Sequence, residues 1–250
     1  MRHADRVICN TSRLRELFMS AYPALPPEKF AVITNGFDEA AVAPSSAREP
    51  RSTKLCLHTG WLYSGRRIDT FCEAVASLVR SGRIAPGSLR IVFLGDADAG
   101  LAAAARQRAP ELFAQGMAEF QSRIDWQRAQ EMMWNADILL LFQGSMPLQV
   151  PAKFFDYLPT GKPIFAVVVQ GALSELLDST GAGLWAGPDD TPGIAAQFER
   201  LLSWPAQAPP ERREDWRRRF HYRNLAGHLA ELVSQAAAEN PRQHAAQDGR

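Results

Sequence analysis

Three features of this 250-residue sequence predict an α/β fold with a doubly wound, Rossmann-like parallel sheet. Apolar runs alternate with stretches of helical spacing from Lys54 to Trp204, the pattern of strands joined by crossover helices. Two of the runs, 137–142 and 164–169, are apolar almost throughout, as parallel strands covered on both faces must be. Between them, Val150–Ala166 reads as loop, short helix and buried strand: Pro151 suits a first helical position, Gly161 a left-handed helix end, and Pro163 bars further helix.

The elements follow in order. Arg6–Asn10 predicts a short strand, and Thr11 or Ser12 caps a helix to about Tyr22 with Leu14, Leu17 and Phe18 at helical spacing. Pro23–Pro27 breaks that helix, and Phe30–Thr34 forms a strand ending in the Asn35-Gly36 turn. Ala43–Thr53 is small, polar and proline-containing, a linker into the main domain. There Lys54–His58 is the first core strand, Thr59–Gly65 a loop, Ile68–Ser81 a helix and Leu89–Leu94 the second strand. Ala97–Arg108 is helical, Met117–Phe120 is the candidate third strand, Trp126–Asn135 a helix and Asp137–Phe142 a strand. Helices near Ala172–Asp178 and Ile194–Trp204 flank a strand near Gly183–Ala186, and the connections are expected to be right-handed. Beyond the Pro205–Pro210 linker, Glu211–Gln235 reads as one helix with Trp216, Phe220 and Leu225 on one stripe, and Asn240–Arg250 as disordered. The expected divisions are a junction segment over 1–50, a Rossmann-like domain over 51–205, a crossing helix over 206–238 and a tail over 239–250.

Composition excludes several classes. Apolar residues make up 46% and charged residues 22%, with a net charge of +1, which is ordinary for a globular chain and gives no argument for a nucleic-acid partner. Cys9, Cys56 and Cys72 are too few and scattered for a disulfide framework or zinc site, and read as buried thiols in a reducing compartment. No apolar run reaches the ~18 residues of a membrane span, and Met1–Asp5 lacks a signal peptide's apolar core, so the expected location is cytoplasmic. The run Arg217–Arg219 reads as a solvated face or as a patch drawn to anionic lipid, at about 1 kcal/mol per basic group, placing the chain peripherally on the inner face of a membrane.

Lys153 and Asp156, three residues apart, share one face of the short helix, whose N-terminus favours anions. Such a helix can hold a diphosphate and a sugar hydroxyl together. Gly60, just after the first core strand, lets backbone approach a phosphate closely, and Arg66 and Arg67 place positive charge beside it. The alternative is a solvated basic pair opening the Ile68 helix, which the helix dipole mildly disfavours. Gln149 offers a side-chain hydrogen bond, and the segment Leu148–Val150 offers backbone amides. His58 reads as a satisfied, partly buried histidine, and Asp96 and Asp98 as helix caps rather than a metal pair.

The segment "VPAKFFDYLPTGKPIFAV" (150–167) resembles the donor-binding segment of GT-B glycosyltransferases, family four in particular. The likeness extends to Ala4–Ile8, to Val32–Asp38 and to Thr59–Arg67, in the family's order, over about residues 4–205. It implies the C-terminal, donor-binding half of a two-domain enzyme that transfers a sugar from a nucleoside-diphosphate donor to an unknown acceptor, with retention of configuration, in polysaccharide or glycoconjugate synthesis. It implies no metal or other cofactor, and an acceptor-binding domain or partner subunit outside this chain. Arg66 stands where the family has a lysine that stabilises the leaving diphosphate, and Asp156 where it has a glutamate on the ribose. Trp61 replaces the family's arginine after the glycine, and Leu148 its first acid, so the phosphate clamp and the two-acid pattern are incomplete. These departures keep open a non-catalytic nucleotide-sugar-binding module, and the fold also hosts sugar-nucleotide epimerases, which the lysine–acid helix fits less well.

Overall fold

In the computed structural model, the described residues are 1, 3–38 and 52–239. The expected linker lies largely, and the expected tail almost wholly, outside them. The chain opens with β1 (Val7–Cys9), α1 (Ser12–Ala21) and β2 (Phe30–Val32), and β1 and β2 pair in parallel. Thr11 caps α1, its hydroxyl accepting from Leu14 N–H at 3.1 Å. The apolar spacing in α1 does not produce a buried face: none of its residues is buried, and Leu17 is 46% exposed.

The main sheet and its helices run β3 (Lys54–Thr59), α2 (Ile68–Arg80), β4 (Leu89–Leu94), α3 (Ala99–Arg108), α4 (Pro110–Ala114), β5 (Ala118–Gln121), α5 (Trp126–Asn135), β6 (Ile138–Phe142), α6 (Ala152–Tyr157), β7 (Ile164–Val167), α7 (Ala172–Thr180), β8 (Gly183–Ala186) and α8 (Thr191–Leu202). The six strands are all parallel, in the order β5-β4-β3-β6-β7-β8, a doubly wound Rossmann-like sheet. Strand periodicity sorts the side chains. Ile138, Leu140 and Phe142 of β6 pack with α2, α3 and α8, where Phe71 meets Phe142 and Phe198 edge-on at 5.4 and 5.2 Å between ring centroids. Leu139 and Leu141 pack on the opposite face with Phe154, Phe155, Leu173 and Trp216. Gly161 has φ +68° and ends the 3-10 turn that follows α6, as its sequence context predicts. Pro151 is the residue flanking α6, one place before the predicted position.

The single helix expected over Glu211–Gln235 is instead two, α9 (Pro210–Phe220) and α10 (Tyr222–Glu239). The break is at His221, whose backbone is extended at ψ 132°. Asn224 caps the last carbonyls of α9, donating to Arg217 O at 3.1 Å, and His221 Nδ1 accepts from Arg223 N–H at 3.1 Å. A second tie holds the break in place: Phe37 N–H donates to Phe220 O, and Tyr222 N–H to Phe37 O, each at 3.0 Å. The stripe therefore splits. Trp216 and Phe220 enter the main core, while Leu225 turns toward Gly36. At the far end of α10, Arg6 grips Glu239 through two bonds of 2.6 and 2.7 Å, so the chain's last described helix returns to its first segment. The arginine run is matched along its own helix by Glu214 and Asp215, the solvated-face arrangement. No helix among the described residues is long and apolar enough to cross a membrane.

Trp216 is 2% exposed, and its indole N–H donates to Thr180 O at 3.1 Å. Trp216→Ala removes that packing and leaves the carbonyl unpaired, so urea unfolding should show a loss of about 3–5 kcal/mol.

Candidate functional site

β3 and β6 lie side by side at the middle of the sheet, where the strand order reverses, and crevices for ligands open beyond the carboxyl ends of such strands. A cavity of about 380 Å³ lies at that end of the sheet, lined by Gly60, Trp61, Gly95, Trp126, Lys153 and Asp156 among others. The strands end in glycine where the walls crowd. Gly60 has φ +104° and Gly95 φ +123°, and a Cβ on Gly95 would lie 2.7 Å from the Gly60 carbonyl oxygen. A Cβ on Gly60 would collide with Lys153 Nζ. The lysine thus reaches from α6 across the crevice to lie against the backbone just after β3.

Lys153 and Asp156 face the same cavity, as their spacing predicts. Burial lowers the Lys153 pKa from its ordinary value, Asp156 opposes that shift, and the like charge of Arg66 adds to it. Burial raises the Asp156 carboxyl, with Lys153 opposing. Asp156 lines the cavity and remains exposed.

Arg66 donates from Nη1 to Phe142 O, at the end of β6, at 2.7 Å, and its guanidinium lies 4.0 Å from the centre of the Tyr63 ring. Neither Lys153 nor Arg66 forms an ion pair with a described residue, and Arg66 Nε is buried without an acceptor. Arg67 differs: it pairs with Asp69 at 3.0 Å and with Asp189, so two carboxylates already match its charge. Trp61 and Trp126, each 60% exposed, give the cavity aromatic surfaces, and Arg123 pairs with Asp96 at 2.9 Å on its rim.

Beneath this layer the support is buried. Tyr157 Oη accepts from Thr59 N–H at 3.2 Å and donates to Leu140 O at 3.4 Å, tying α6 to β3 and β6. His58 is wholly buried rather than partly so. Its Nδ1 lies 3.0 Å from Leu140 O, its ring meets Phe142 edge-on at 5.5 Å, and its Nε2 has no partner. Burial, with lesser contributions from Lys153 and Arg66, pushes its pKa down to about 3 against the bond to Leu140. Cys9, Cys56 and Cys72 are buried free thiols, as read from their number and setting.

The loop after β6 carries Gln149, exposed, and Val150, buried. Gln143, 5% exposed, turns back on it and donates to Gln149 O at 3.0 Å and Met146 O at 3.3 Å. Of the residues singled out in the sequence, Gly60, Lys153 and Asp156 share the cavity, with Arg66 close to Lys153 at the end of β6. Arg67 is turned to the α8 side, and Val150 faces a separate 230 Å³ hollow between α1 and α7. Asp98 caps α3, accepting from Gly100 N–H at 2.9 Å, while Asp96 is in the rim ion pair. Among the described residues no cluster of His, Cys, Asp or Glu is arranged to hold a metal ion. Sequence reading missed Tyr157, Trp126 and Gln143; Tyr157 is a large aromatic beside Asp156, whereas Trp126 and Gln143 carry no local signal.

No protein-family model and no curated protein sequence matches the chain. Solved structures do. Anabaena HepE, in complex with UDP and glucose, is 19% identical, with a TM-score of 0.70 over 94% of this chain and 64% of its own. A glycosyltransferase of Rickettsia africae is 13% identical, with a TM-score of 0.72 over 92% of this chain and 63% of its own. The lipopolysaccharide outer core galactosyltransferase WaaB is 15% identical, with a TM-score of 0.70 over 94% and 63%. The chain therefore spans less than two thirds of the length of these proteins, and its fold is that of one Rossmann-like half of the GT-B fold.

Two outcomes check the site's physics. Between pH 6.5 and about 3 the unfolded chain takes up a proton that the native His58 ring refuses, so stability falls as pH falls through that window, by an amount of a few kcal/mol. Urea unfolding across pH should show this slope, and His58→Gln should flatten it. Gly60→Ala forces a side chain into positive φ against Lys153, so it should cost about 1–3 kcal/mol in the same assay.

Proposed function

We propose that the chain binds a nucleoside-diphosphate sugar at the carboxyl ends of β3, β4 and β6 and is the donor-binding half of a glycosyltransferase. The carrying observation is that Lys153 and Arg66, two cations without an ion-pair partner among the described residues, come together beside the close-packed Gly60 turn. A cation in a low-dielectric setting is disfavoured until an anion joins it. A diphosphate supplies two adjacent anionic groups and matches the pair. Asp156, on the same wall, accepts from a ribose hydroxyl, and the aromatic and apolar end of the cavity near Trp126, Ile124 and Met133 takes the base.

During transfer the bond from the anomeric carbon to the diphosphate oxygen breaks, and its electron pair leaves with the diphosphate. Arg66 and Lys153 stabilise that growing charge from fixed positions. The acceptor hydroxyl forms the new bond and gives up its proton, and a further domain or subunit presents it. The resemblance to family four favours retention of configuration, a role in polysaccharide or glycoconjugate assembly, and work at the cytoplasmic side of a membrane. Arg67 serves this site indirectly, holding the turn before α2 through Asp69 and Asp189. A binding module without transfer is favoured by Trp61 and Leu148, apolar where the family has charged groups, and it shares the same donor site.

Thermal denaturation against a panel of UDP, GDP, ADP and their sugar conjugates tests the reading. A ligand at 100 times its Kd should stabilise by about 2.7 kcal/mol. Arg66→Ala and Lys153→Ala should each weaken the responding ligand by roughly tenfold or more, the worth of a charge-assisted hydrogen bond. A cooperative melt unmoved by every nucleotide would contradict it.

A further inference from the structure

The loop 143–150 leaves β6 beside Arg66 and enters α6 just before Lys153, so a diphosphate held by those two cations borders it. Gly144 is itself packed on this turn, a Cβ there lying 3.1 Å from Gly65 O. Four consecutive carbonyls of the loop are engaged by the protein. Met146 O and Gln149 O accept from the Gln143 amide at 3.3 and 3.0 Å, Pro147 O accepts from Ala172 N–H of α7 at 2.7 Å, and Leu148 O accepts from the Thr11 hydroxyl at 2.7 Å. Their negative ends are thereby fixed on protein donors instead of facing an incoming anion. In a trans peptide the N–H points opposite to the carbonyl. With no cis bond among the described residues, Leu148 N–H points away from α7 and Val150 N–H away from Gln143.

Thr11 does not belong to the main sheet. It is the buried cap of α1, 137 residues earlier in the chain, and its one hydroxyl serves both sides: it accepts from Leu14 N–H and donates to Leu148 O. Two residues on, Arg13 grips Glu175 of α7 through bonds of 2.6 and 2.9 Å, which fixes the approach of α1 to the helix that also holds Pro147.

We propose that Thr11 and Gln143 are positioning residues that hold loop 143–150 so that the N–H groups of Leu148 and Val150 face the sugar-bearing end of the bound donor, and that α1 thereby forms part of the donor site. This rests on the donor reading above. Because the loop borders the diphosphate on the side away from the base, its order matters more for the sugar conjugate than for the bare nucleoside diphosphate.

The test is the ratio of Kd values, measured by calorimetry, for a nucleoside diphosphate and its sugar conjugate, with UDP and UDP-glucose, and GDP and GDP-mannose, as probes. Thr11→Val and Gln143→Leu should each weaken the conjugate by about fivefold, one hydrogen bond's worth, relative to the bare diphosphate. Thr11→Ser, which keeps the hydroxyl, should restore the wild-type ratio. Thr11→Val also loses the cap of α1, so its melting temperature falls in any case; the ratio, unlike the melting temperature, is not moved by a purely structural role. Both ligands weakened equally, or a ratio unchanged in Thr11→Val and Gln143→Leu, would overturn the inference while leaving the donor site in place. A wild-type chain that binds none of the four probes would overturn the donor reading and this inference with it.

Discussion

The approach of Lys153 to the backbone of Gly60 is the contact on which the rest of the site depends. It needs a residue without a side chain at the end of β3, in a positive-φ turn, and an α6 that begins within one lysine length of that turn. Tyr157, one turn further along α6, fixes the helix by bonding to Thr59 and Leu140 together. The result is a cation brought into a partly desolvated crevice with Arg66 nearby and the opposing charge of Asp156 beside it. In a folded protein such an arrangement is costly unless it serves an anion.

The sheet order places this contact. With β3 and β6 adjacent at the reversal of the strand order, the turn after one strand and the loop after the other face each other across the crevice. The helix layers on both faces hold the two strands, and the phenylalanine cluster around Phe71 fills the side on which His58 is buried. The C-terminal segment then closes the architecture. Its break at His221 lets α9 pack on the main core and α10 run back to Arg6, so the first and last described segments are joined to each other. Through Thr11 that joined unit reaches the loop after β6, and through Arg13 it reaches α7.

Much of this was legible in the sequence, and what was hidden has physical reasons. The apolar runs gave the strands within a residue or two because parallel strands covered on both faces are built mostly from apolar residues. That Gly60, Lys153 and Asp156 share one cavity was legible because a turn glycine and a lysine–acid spacing have local causes. The single-helix reading of Glu211–Gln235 failed because the stop at His221 is set by two backbone bonds to Phe37, 184 residues away in the chain, and by the Asn224 cap, and no proline or glycine marks it. Arg67 was grouped with Arg66 because adjacent residues look alike in a sequence, whereas in the fold one turns to β6 and the other to Asp69 and Asp189. The exposure of Leu17 was hidden for the opposite reason: helical spacing shows that a face is apolar and is silent about what covers it.

The account's central claim is that the Gly60–Lys153 crevice receives a diphosphate. Backbone amide NMR of the ¹⁵N-labelled chain, titrated with UDP and with GDP, tests it residue by residue. The prediction is that one of the two nucleotides shifts the amides of Gly60, Gly95 and Lys153 together in a saturable way, and that inorganic sulfate at the same concentration does not. Saturable shifts confined to the hollow between α1 and α7, with those three amides unmoved, would contradict it.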